Sequence, residues 1–79
     1  MARLRRLSSR ELLRALRQVG FEVVSTRGSH AKLCRRVGEQ RQCLTIPLHD
    51  ELAPGTLHAI FRQACRFVPA SEMRRLFFT

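Results

Sequence analysis

Two glycine-centred breaks divide residues 21–47 into three short runs, and this spacing constrains the fold more than any other feature of the chain. Arg27-Gly28 reads as one tight turn and Val37-Gly38-Glu39-Gln40 as another. Phe21 to Thr26 is rich in aromatic and β-branched residues and reads as a strand. Ser29 to Arg35 is a second strand, and Gln42 to Pro47 a third that the proline stops. Strand alternation puts His30, Lys32 and Cys34 on one face of the second strand and Ala31 and Leu33 on the other.

Helical patterns flank this hairpin pair. Ser8 and Glu11 have capping-box spacing, and Leu12, Leu13, Leu16 and Val19 follow at helical intervals until Gly20 stops the run. Arg10, Arg14 and Arg17 fall on the outer face of that helix. Pro54-Gly55-Thr56 opens a second helix with an apolar stripe of Leu57, Ile60, Phe61, Ala64 and Val68. After the break at Pro69-Ala70-Ser71, Met73, Leu76 and Phe77 fit either a short helix that packs back or an adhesive tail. The order α-β-β-β-α predicts an α+β two-layer sandwich with a three-stranded antiparallel sheet. Two helices cover one face of the sheet and the other face stays open, an architecture that resembles the double-stranded RNA-binding domain. The expected organisation is a single domain over residues 1–79, with a core at about 8–68 and a C-terminal extension at 69–79.

Length and charge narrow the partners. A chain of 79 residues buries a modest core. Fifteen cations face six carboxylates, for a net charge of +9. On so small a domain that imbalance produces a field that attracts polyanions. All the cations except Lys32 are arginines, which bond phosphate bidentately, although a GC-rich genome yields the same bias. No apolar run is long enough to span a bilayer, and the basic start lacks the apolar block of a signal peptide, which points to a cytoplasmic protein without a membrane partner. Cys34, Cys43 and Cys65 are odd in number and include no CxxC, which argues against a disulfide scaffold or a zinc ribbon. Counting back from the second turn sets Cys34 opposite Cys43, and both are expected as reduced thiols. Trp and Tyr are absent, and Phe21, Phe61 and Phe67 are needed for the core. A nucleic acid would therefore be read through its backbone rather than on a stacking platform.

The tripeptide Gly28-Ser29-His30 stands at a hairpin end, where a histidine is held by the sheet yet reachable from solvent. Histidine is the side-chain type that exchanges a proton near neutral pH. RNA brings its own nucleophile, the 2′-hydroxyl, so cleavage needs a proton-transfer group and positive charge beside the phosphate. His30 fits the first role, and Lys32 and Arg27 the second. A lone strand histidine is more often a hydrogen-bonded surface residue, so the tripeptide alone is a weak signal. His49 reads as a solvated loop residue. His58 and Arg62 share an outer helical face that suits either phosphate or plain solvent. Ser29 lacks triad partners and is better read as a strand-start or phosphate-contacting hydroxyl than as a nucleophile. The scattered carboxylates show no metal-site spacing, and no cofactor is expected.

Several segments together resemble the HicA-type mRNA interferases, toxins of bacterial or archaeal toxin–antitoxin pairs. They are Gly20-Phe21, Arg27-Gly28-Ser29-His30, Thr45-Ile46-Pro47 with His49, and Pro54-Gly55-Thr56-Leu57 with Ile60, Arg62 and Gln63-Ala64. The resemblance implies the RNA-binding-domain-like fold, metal-independent cleavage of mRNA, and neutralisation by a cognate HicB-type antitoxin. The family's catalytic histidine follows Gly-Ser and so maps onto His30. The accompanying RNA contacts are expected at Arg27, Gly28, Ser29, Lys32 and Arg62. Two positions depart from the family pattern: Cys65 stands where many members carry glycine, and His58 where many carry a base. The rival readings are a non-catalytic RNA-binding module and a protein–protein adaptor that uses the open sheet face.

Overall fold

A computed structural model describes residues 2–79. The order is α1 (Ser9–Arg17), β1 (Glu22–Arg27), β2 (His30–Val37), β3 (Gln40–Pro47), α2 (Pro54–Ala64) and α3 (Ala70–Phe77). The strands form one antiparallel sheet in the order β1-β2-β3, so the fold is α+β as the sequence predicts. Both hairpins close over two residues, Gly28-Ser29 between the pair Arg27 and His30, and Gly38-Glu39 between Val37 and Gln40. The glycine comes first in each loop, at φ +57 for Gly28 and +62 for Gly38. A side chain there would be strained, which is why these two breaks set the register. The second hairpin is tighter than the sequence suggests: Val37 and Gln40 belong to the strands rather than to the turn.

One sheet face carries the core. Ala31 and Leu33 on β2 and Leu44 and Ile46 on β3 are almost fully buried beneath Leu12 and Leu16 of α1 and Leu57, Ile60 and Ala64 of α2. Every residue of β1 is exposed, because the helices cover the inner side of β2 and β3 and leave β1 overhanging. A bulge at Val24 interrupts its pairing with β2. At the start of α1 the capping box forms as predicted: Ser8 Oγ accepts from Glu11 N–H at 3.1 Å and Ser8 N–H donates to Glu11 Oε1 at 2.9 Å. The backbone bond from Ser8 holds the Glu11 carboxyl below its usual range.

The C-terminal segment is the helix of the two options. Met73 and Phe77 of α3 are fully buried, so α3 is part of the core. The two ends of the chain are zipped together by Arg5 N–H to Phe77 O (2.8 Å), Thr79 N–H to Arg3 O (2.8 Å) and a bridge between Leu4 and Phe78. Phe61 meets Phe77 and Phe78 edge-on at 5.5 and 5.4 Å. No glycine is needed after Gln63-Ala64. Cys65 closes α2 at φ −65, an ordinary right-handed value. Partial burial pushes the Cys65 thiol's pKa up, away from the thiolate.

The expectation of reduced thiols is corrected. Cys34 and Cys43 pair across the second hairpin as the count predicts, but they are joined as a disulfide. Their Cα atoms lie 4.1 Å apart, the close approach of a non-hydrogen-bonded antiparallel pair, which aims both side chains at each other. Because cross-linking restricts the unfolded chain, adding a thiol reductant should remove about 2–3 kcal/mol. For a domain of this size that lowers the melting temperature by roughly 10–20 °C. A melt identical with and without reductant would mean that the pair is not cross-linked in solution.

Candidate active site

His30 is the first residue of β2, directly after the Gly28-Ser29 turn. Its cross-strand neighbours are Arg27 on β1 and Pro47 on β3. The ends of the strands are held from below. Leu48 N–H donates to Ser29 O at 2.6 Å, and the buried hydroxyl of Ser9 accepts from His49 N–H (2.6 Å) while its one proton is shared between Pro47 O (2.7 Å) and His49 O (2.9 Å). The N-terminus of α1 is thereby fixed to the strand end that carries His30, a rigid support for an exposed side chain.

Lys32 lies two residues further along the same face, between Ser25 on β1 and Thr45 on β3. The strand alternation read from the sequence therefore holds: Ala31 and Leu33 are buried, whereas His30 and Lys32 are exposed on the uncovered side. An open cleft of about 440 Å³ is lined by Ser25, Thr26, Arg27, His30, Lys32 and Thr45, together with Ala31. It brings together three of the residues singled out from the sequence, namely His30, Arg27 and Lys32. Gly28 and Ser29 form the turn beside it. Arg62 is exposed on α2 and does not line the cleft. The α2 side chain that reaches this region is the next one, Gln63, whose Oε1 accepts from Thr45 N–H at 3.3 Å and ties β3 to the helix.

Two features of this face emerge only with the strand register. Thr45 lines the cleft, yet only the strand pairing, invisible until the register is known, sets its hydroxyl beside Lys32. Beyond the cleft, the same face continues through the Cys34–Cys43 bridge to Arg36 on β2 and Arg41 on β3, which are directly opposed. Their signal was present in the alternation: Arg36 is in phase with His30 and Lys32. The carboxylate that pairs onto this face is Glu22, opposite Cys34. His49 is exposed next to Asp50, and His58 packs against Phe78 with ring centres 6.1 Å apart. Neither lines the His30 cleft.

Such a cleft offers a proton-transfer group flanked by fixed positive charge, open to a chain that runs across the sheet. The sequence model described as the HicA toxin of bacterial toxin–antitoxin systems matches residues 9–64. The chain belongs to the HicA toxin family. The match runs from the first helical residue to the end of α2, so the sheet, both covering helices and the His30 cleft all lie within the HicA region. The zipped termini and α3 are additions outside it. Neither a curated protein nor a solved structure matches the chain. No helix among the described residues is long and apolar enough to cross a membrane.

Proposed function

We propose that this HicA-family toxin is an endoribonuclease that cuts mRNA without a metal ion, using His30 as general acid–base. The observation that carries the reading is the placement of His30 with Arg27 and Lys32 around one open cleft. In this scheme the 2′-oxygen attacks the adjacent phosphorus as its proton is taken up. The bond to the 5′-oxygen breaks, and that oxygen leaves with a proton. The products are a 2′,3′-cyclic phosphate and a 5′-hydroxyl. His30 serves one of the two proton transfers, while Arg27 and Lys32 balance the charge that gathers on the phosphoryl oxygens. Backbone at Gly28 and the hydroxyl of Ser29 border the scissile site, and Arg62 meets RNA further out on α2. Toxin–antitoxin membership makes a protein antitoxin the natural partner. With a net charge of +9, the toxin favours one that is acidic where it docks and that covers His30, so that RNA and antitoxin compete.

The test is cleavage of a defined mRNA in excess chelator, with the product ends identified by mass spectrometry. Full activity and cyclic-phosphate ends are expected. Activity abolished by the chelator and restored by magnesium would overturn the metal-free scheme. A complex with the co-expressed antitoxin that still cuts RNA would overturn occlusion.

A further inference from the structure

Arg36 and Arg41 occupy directly opposed positions on β2 and β3, in phase with the close Cys34–Cys43 pair and on the uncovered face. Both are exposed. Like charges directly opposite each other on a sheet are destabilising, so this pair costs the free protein stability. Arg35, between them and the core, is bonded to three acceptors. Among the described residues, no side-chain hydrogen bond takes up either Arg36 or Arg41. Two forked donors set against each other suit a tetrahedral phosphate, which accepts bidentate bonds from both and removes their repulsion.

We infer that Arg36 and Arg41 form a second phosphate-binding subsite for the backbone of a single RNA strand laid along the β2–β3 hairpin. This rests on the reading of the His30 cleft as an RNA site. Arg36 lies six positions along β2 from His30, about 20 Å at the usual rise. A strand anchored at the cleft thus reaches the subsite only if it extends several nucleotides beyond the cut. On β2 and β3 the face between the two anchors carries Lys32, Thr45 and the Cys34–Cys43 bridge, with Glu22 alongside on β1, while the exposed large apolar side chains are Val23 and Val24 on β1 and Val37 beyond Arg36. A protein partner needs an apolar anchor to gain affinity there, whereas a phosphate backbone does not.

The test compares the parent with an Arg36→Gln/Arg41→Gln double variant, using a long 2′-O-methyl RNA that cannot be cut and a cleavable tetranucleotide. Affinity for the long RNA should fall about tenfold or more, and the slope of log K against log salt should flatten by about 0.7, the share of the one phosphate the pair holds. The melting temperature should hold or rise, since the repulsion is gone. Turnover of the tetranucleotide should be unchanged. Unaltered affinity and salt slope would overturn the subsite, as would a variant that loses the antitoxin while keeping RNA. A parent that binds the long RNA through these arginines but cuts no RNA would leave the subsite standing and refute the catalytic reading alone.

Discussion

Replacing His30 with alanine should abolish RNA cleavage while leaving the protein folded. The side chain is exposed at the start of β2, outside the core, and the backbone of this strand end is held by Ser29 and Ser9 rather than by the imidazole. Stability should therefore stay within about 0.5 kcal/mol of the parent. General acid–base catalysis is worth about 10²–10⁴ in rate, so turnover of a short RNA should fall by that factor. Affinity for an uncleavable RNA should change little, since Arg27 and Lys32 remain. The split between rate and affinity is what separates an enzyme from a binding module: loss of a histidine that only touches RNA lowers affinity and has no rate to lower. A folded His30→Ala protein that cuts at the parent rate would sink the assignment and return the open face to the binding-module reading.

Most of the layout was legible because its determinants are local. A glycine first in each hairpin loop, a serine and a glutamate three apart, and a proline opening α2 each fix the backbone within a few residues. The alternation along β2 then separated His30 and Lys32 from the core without knowledge of the fold. What the sequence hid is non-local. Whether residues 70–77 form a tail or a core helix depends on the cover they find at Phe61 and on the zipped termini, contacts spanning most of the chain. Arg62 has the residue type of an RNA contact, and only the packing of α2 reveals that it lies outside the lining of the His30 cleft. Counting from the turn pairs Cys34 with Cys43, but that they bond follows from the closeness of the pair, which the sequence does not carry.

Arg35 shows the same limit most sharply, and its replacement should have the largest effect on stability. In composition it is one more arginine in a basic chain. In the fold it points to the core side of β2 and closes the far end of the sandwich. Its Nε donates to Gln42 Oε1 (2.8 Å), one terminal nitrogen to Val19 O (2.8 Å) after α1, and the other to Phe67 O (3.0 Å) after α2. The guanidinium carbon lies 5.1 Å from the centre of the buried Phe21 ring. One side chain thus ties the sheet to the exits of both covering helices. Arg35→Ala strands three acceptors and empties the space over Phe21, so a loss of about 3 kcal/mol or more is expected. A domain of this length has roughly 4–12 kcal/mol in total, which makes that loss a large share. Arg35→Lys should recover little, since one ammonium on a flexible stem does not span the three acceptors. Arg36→Ala, one residue away on the open face, should leave stability within about 0.5 kcal/mol. Thermal melts of the three variants read this directly. If Arg35→Ala and Arg36→Ala melt together, the bonds to Val19 and Phe67 do not hold the helices to the sheet.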